Sequence, residues 1–144
     1  MPRQHISAAR SPSNSVPPRS LPGALVRGLL GRCPACGEGR LFGRFLKVNA
    51  SCPACGEALH HHRADDFPAY LVIVIVGHIL VPLVLWTELH FMPSTAVHVA
   101  IWVPATLALS LGLLSPIKGA IVALQWHTGM HGFAEGRKAR PADA

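Results

Sequence analysis

No lysine or arginine occurs between Phe67 and Ile117, and Glu88 is the single acidic residue there. Charge is scarce throughout: 14% of the 144 residues are charged, while 50% are hydrophobic. A soluble domain would spread its apolar residues at helical or strand period along its length. Here they form blocks of membrane-spanning size instead. Acidic residues are also missing from Met1 to Leu21, and large apolar ones nearly so. That segment carries Pro2, Pro12, Pro17 and Pro18 with Arg3, Arg10 and Arg19. It has too little apolar surface to offset its chain entropy, so residues 1–24 are predicted to be a disordered basic tail. It lacks the apolar centre of a secretory signal and the clear amphipathic helix of a transit peptide. No phosphate-binding loop, no nucleophile with a matched base and no pocket-forming carboxylate pair is legible. The residues support no enzyme class, and a non-enzymatic role is favoured.

The cations that are present sit asymmetrically. Nine of the thirteen precede Phe67, and the other four are Lys118, Arg137, Lys138 and Arg140. This is the positive-inside pattern of a hairpin whose two ends stay in the cytoplasm. A multi-pass protein of the bacterial inner membrane, with both termini cytoplasmic, is the expected location. The net charge of +6 therefore reports topology rather than nucleic-acid binding. No aromatic platform or second nucleic-acid module accompanies it, and nucleic acid is not an expected partner.

Four cysteines stand out against this background. Cys33-Pro-Ala-Cys36 and Cys52-Pro-Ala-Cys55 are both CPxCG knuckles, closed by Gly37 and Gly56 and separated by fifteen residues. The spacing is that of a four-thiolate metal site. In such a knuckle a tight turn aims two sulfurs at one ion, and glycine takes the positive φ at its exit. Cytosolic thiols bind metal rather than pair as disulfides. The expected ligands are Cys33, Cys36, Cys52 and Cys55, and the expected ion is Zn²⁺ in a closed tetrahedron. A rubredoxin-like iron site or a metal-free dithiol pair are the alternatives. Leu41 to Val48 can supply the β-hairpin between the knuckles, so residues 25–62 read as a zinc-ribbon head. Arg32, Arg40 and Arg44 can offset the negative charge of a zinc tetrathiolate.

The first predicted span runs over about 67–87 and the second over about 96–114, each close to one hydrocarbon thickness. The short loop between them makes them antiparallel neighbours within a hairpin unit at 63–116. Asp65 or Asp66 can cap the first span, and Ser94 or Thr95 the second. Pro82 and Pro104 lie inside the spans, and Ser115-Pro116 is expected to interrupt the second. Gly77, Ala100, Ala105, Ala108 and Gly112 permit close helix approach. Residues 117–133 place Ile117, Ile121 and Leu124 on one face. They read as an interfacial amphipathic helix, with a continuation of the second span or a re-entrant segment as alternatives. Residues 134–144 read as a disordered tail. The fold class is a mainly α membrane protein: a two-helix transmembrane hairpin with a small N-terminal β zinc ribbon and a C-terminal interfacial helix.

Polar residues in the apolar region are functional candidates because they are costly there. His78 lies mid-span and is expected to point at the second helix near Ala108. Glu88 and His98 flank the outer turn at equal depth and can pair. The bland reading gives each an ordinary hydrogen bond or a water-facing position. His60, His61 and His62 read as a solvated linker. His127 and His131 have chelating spacing but no third ligand.

The ordered chain resembles a bacterial family of unknown function, DUF983. The resemblance rests on Cys33-Pro-Ala-Cys36-Gly-Glu-Gly-Arg-Leu-Phe42, Cys52-Pro-Ala-Cys55-Gly-Glu57, Pro68-Ala-Tyr70, Gly77-His78, Pro116-Ile-Lys-Gly119, Leu124-Gln-Trp126 and His131-Gly-Phe133. Phe67 stands where such members carry glycine. The resemblance implies a small inner-membrane protein with a zinc-ribbon-like head and no known reaction. It also implies a neighbourhood of respiratory-oxidase subunits and their assembly factors. Three roles remain open at this point. The first is an accessory or assembly factor for a membrane complex, bound to the lipid bilayer and a membrane-protein partner. The second is a membrane-tethered metal or redox sensor. The third is a small oligomeric transporter or enzyme using His78, Glu88 and His98.

Overall fold

The computed structural model describes residues 20–63 and 66–138. The chain begins with a helix, α1, at Leu21–Leu29. Pro22 sits in its first turn, where the missing N–H has no intrahelical partner to lose. Gly31, at φ 67°, turns the chain out of it. The helix crosses the expected tail–head boundary at residue 24. Its inward side is held by burial of Ala24 and Gly28, which composition could not show. Residues 1–19 lie outside the described residues.

The head contains a minimal antiparallel hairpin, β1 (Phe42–Arg44) and β2 (Lys47–Val48). Phe42 stands opposite Val48 and Arg44 opposite Lys47. Leu46 takes a positive φ of 58° in the tight connection. Helix α2 spans Phe67–Phe91 and α3 spans Thr95–Thr128. Pro68 lies in the first turn of α2, and the Asp66 side chain makes no capping hydrogen bond. Met92 closes α2 in the left-handed region, and Ser94, in extended conformation, opens α3. The turn is therefore shorter than the expected loop, and the two helices pack as antiparallel neighbours.

Both helices are long and apolar enough to cross a membrane, with mean hydropathy of 2.5 and 1.9 over their most apolar windows. Those windows are only 11% and 0% buried. The core helix of a soluble protein would be mostly buried.

Pro116 does not interrupt the second helix. Helix α3 runs through Pro104 and Pro116 for 34 residues, about 51 Å at 1.5 Å per residue. A proline removes one hydrogen bond, and the remaining ladder and packing carry the helix past it. Of the three alternatives for residues 117–133, the chain takes the continuation, ending at Gly129 with φ 71°. A 3₁₀ turn at Met130–Gly132 and a short helix, α4 (Phe133–Lys138), follow. The segment expected to be a disordered tail thus starts as helix, and residues 139–144 lie outside the described residues.

The extension of α3 is the centre of the head's core. Ile121, Val122, Trp126 and Phe133 are buried with Ala24, Cys33, Leu41, Val48, Cys52 and Leu59. The head has few large apolar side chains, so it completes its core on α3.

Candidate metal centre

Each knuckle is built by local backbone bonds. Gly37 N–H donates to the Cys33 carbonyl at 2.8 Å, and Gly56 N–H to the Cys52 carbonyl at 2.9 Å. Gly37 and Gly56 adopt φ of 78° and 71°, the left-handed geometry that glycine takes without penalty. Short bridges close the base of each turn: Arg32 pairs with Arg40, and Ser51 with Ala58. The four sulfurs converge, all lying within 4.8 Å of one another. Cys33 Sγ is 3.9 Å from Cys55 Sγ, and Cys36 Sγ is 3.7 Å from Cys52 Sγ. A tetrahedron with metal–sulfur bonds of about 2.3 Å requires edges of about 3.8 Å. The donor set and spacing thus fit one thiophilic ion held by four ligands.

Gly39 makes the approach of the two knuckles possible. A Cβ there would overlap Cys52 Sγ and press on Ala54. Its position, two residues past the first knuckle's glycine, was visible in the sequence, but its role depends on the second knuckle crossing above it.

The electrostatics ask for a cation. Burial pushes the Cys55 thiol up to about 11 and the Cys33 thiol still further. Cys36 is also raised by burial, but the Gly39 and Glu38 N–H groups pointing at its sulfur outweigh this and bring it down to about 7. Cys33 and Cys52 are buried and Cys36 and Cys55 half-buried, and four thiolates so close together are stable only around positive charge.

The centre is fastened to α3. Trp126 Nε1–H donates to Glu57 Oε1 at 2.9 Å, just past the second knuckle. The Gln125 amide accepts from Arg63 N–H at 3.0 Å and donates to the Arg63 carbonyl at 3.1 Å. Arg27 on α1 donates to the Pro34 carbonyl inside the first knuckle at 3.4 Å. Trp126 lies close to the apolar face of residues 117–133 in the sequence and Gln125 enters only through the family resemblance, but no local pattern couples either to residues more than 60 positions away.

The remaining candidates separate. His98 Nε2–H donates to Glu88 Oε2 at 2.7 Å, so these two meet at the turn end of the hairpin. Trp102, one turn along α3, buries its Nε1 with no hydrogen-bond partner among the described residues. His78 does not point at α3. It is exposed, and its Nδ1–H donates to the Val74 carbonyl of its own helix at 2.7 Å. The reason is helix rotation. Pro68, Val72 and Val76 are the buried positions of α2, and His78 lies about 200° around from Val76. His78 instead lines a shallow outward groove with Ile73, Val74, Gly77, Val81 and Pro82. It is also ten residues, about 15 Å, from Glu88 along α2, so these three side chains form no common site.

The histidine run is occupied structurally. His60 stacks on His61, His61 meets the edge of Phe133, and His62 donates to the Leu59 carbonyl. His127 and His131 gain no third ligand: among the described residues, the cysteine quartet is the only group that brings three or more ligand atoms together.

No curated protein and no solved structure matches the chain. A family described as a protein of unknown function (DUF983) matches residues 42–126, more than half of the chain. The match begins at β1, after the first knuckle, so Cys33 and Cys36 enter the centre through geometry, while Cys52, Cys55, both apolar helices and the α3 extension through Trp126 fall within it. On that match the chain belongs to the DUF983 family.

Proposed function

We propose that this protein is a membrane-anchored zinc-ribbon accessory or assembly factor for a larger membrane complex. Helices α2 and α3 cross the bacterial inner membrane, both termini are cytoplasmic, and Zn²⁺ occupies the four-cysteine centre as a structural ion. Four thiolates leave the metal no open position for substrate. The observation that carries the reading is the packing of the head on α3. The same helix spans the apolar zone, supplies Ile121, Val122 and Trp126 to the head's core, and bonds to Glu57 beside the second knuckle. A partner gripped by the head is thereby held at a set height and rotation relative to the bilayer. This is a docking geometry.

Quantitative mass spectrometry after affinity purification in mild detergent tests the reading. A membrane-protein partner at fixed stoichiometry is expected, a respiratory-oxidase subunit being the specific case the family resemblance favours. Recovery of the chain alone, with zinc bound and the head folded, would refute it.

A further inference from the structure

We infer that α1 is an interfacial helix whose outward face, Val26, Leu29 and Leu30, lies in the headgroup–acyl boundary of the membrane that the hairpin crosses. The inference deepens the membrane reading above and rests on it.

Composition comes first. From Leu21 to Leu30 the helix and its cap hold one charged residue, Arg27. That guanidinium donates to the Pro34 carbonyl and lies over Gly37, turned toward the first knuckle. Ala24 and Gly28 are buried against the rest of the protein, but Val26 remains 54% and Leu30 68% exposed, with Leu21 and Leu29 also exposed. A helix that is apolar on both sides needs an apolar medium on both sides. One side has α3.

Depth identifies the medium on the other. Gly28 meets α3 at Gly119 and Ala123. Gly119 is 21 residues beyond His98, which pairs with Glu88 at the opposite end of the hairpin. At 1.5 Å per residue the separation is about 32 Å, against a hydrocarbon core about 30 Å thick with roughly 5–7 Å of headgroup region on each side. Lys118 immediately precedes the crossing, as an anchor at that boundary should. The crossing of α1 and α3 therefore falls in the inner headgroup layer. An apolar helix face held there is continuous with the lipid surface of the spans, and exposed Arg32 just beyond it can meet anionic headgroups. Residues 1–19 offer few alternatives as cover, since Met1, Ile6 and Val16 are their only large apolar side chains.

The test places a small solvatochromic amino acid at one position at a time in the full chain. The zinc-loaded protein is reconstituted in vesicles of phosphatidylcholine and phosphatidylglycerol containing a lipid spin-labelled near the headgroup. Probes at Val26 and Leu30 should lose about half their emission, as expected for side chains at the headgroup–acyl boundary. A probe at Met130 is the control. It too replaces an exposed apolar residue, but it lies in the turn beyond Thr128, the end of α3, about 14 Å past Gly119 along the helix, and should keep its emission. A probe at Leu85 in α2 reports insertion of the hairpin. Quenching at Leu85 without quenching at Val26 and Leu30 would overturn the inference and leave the membrane reading standing. No quenching at Leu85 would overturn the membrane reading and this inference with it. Energy transfer between copies labelled at Val26, without lipid quenching, would assign the face to a second copy and overturn it as well. Unchanged zinc content in every labelled protein ensures that these outcomes report position rather than unfolding.

Discussion

Gly28 of α1 and Gly119 of α3 meet backbone to backbone. A Cβ added to either would overlap the carbonyl oxygen of the other, and one on Gly28 would also come within 2.7 Å of the Ala123 methyl. Ala24–Gly28 and Gly119–Ala123 are thus facing pairs of small residues four apart, the pattern that lets two helices cross at closest approach. This crossing, with the Glu57–Trp126 hydrogen bond, joins the four-cysteine head to the apolar helical hairpin.

Substitution at the crossing should separate the two. Gly119→Leu forces the helices apart, an overpacking error that costs about 1–3 kcal/mol. Thermal unfolding in detergent should show a lowered transition for the head, and limited proteolysis should cut between residues 20 and 63. Gly77→Ala and Gly112→Ala are the contrast, because no atom lies within 4 Å of the added methyl. They should be neutral or stabilising by less than about 1 kcal/mol, the helix-propensity gain of alanine over glycine. Equal damage from all three would mean that the crossing is not special.

The head should bind one zinc ion per chain and depend on it. Elemental analysis of the purified protein reads the metal directly. Cys52→Ser should abolish binding and protease resistance together, because a head with so small a core of its own is folded by its ion. A metal-free variant that kept a resistant head would contradict this.

Zinc should leave on the acid side. Without metal, burial keeps protons on Cys33 and Cys55, the latter up to about 11, and metal entry must expel them, so affinity falls as pH falls. For folding without metal the sign reverses at these two thiols. A folded value above the unfolded 9.0 stabilises below about 9, and that contribution is lost as pH rises through about 11. Cys36, lowered to about 7, contributes in the opposite direction: its share is full above about 9 and lost as pH falls through about 7. A chromophoric indicator should record zinc release below neutrality and none on mild alkalinisation; release that grew toward alkaline pH would reverse the argument.

His78→Leu should be tolerated in the stability of the hairpin. The imidazole bonds only to its own helix and faces away from the buried side of α2. Val76→Ala, at a position 4% exposed, removes packing and should cost about 1–3 kcal/mol by analogy with other large-to-small core changes. Unfolding of both variants in mixed micelles would compare them. A large loss for His78→Leu with little for Val76→Ala would show that the rotation of α2 is wrong.

Topology reporters test the membrane orientation. A reporter inserted between Met92 and Pro93 should be active only outside the cytoplasm, and one fused after Ala144 only inside, as the distribution of Lys and Arg requires. A C-terminal fusion reading outside would invert the arrangement.

The sequence alone determined the parts list. Two CPxCG knuckles dictate a four-sulfur centre because the ligand geometry is local to each turn. Two charge-free stretches dictate long apolar helices because composition and length are one-dimensional properties. The pairing of Glu88 with His98 was also legible, since a short turn sets which residues share a depth. Tertiary structure decided everything that depends on rotation and on distant neighbours. The outward turn of His78 follows from which stripe of α2 is buried, and a stretch that is apolar all round carries no such stripe in its sequence. The passage of α3 through Pro116 follows from packing of its extension against the head, which local propensity does not contain. The use of Ile121, Val122 and Trp126 as the head's core, and of Gly28 and Gly119 as its point of closest contact with α3, joins residues dozens of positions apart. Such contacts exist only once the chain has folded, because neither partner alone has the shape that makes the other necessary.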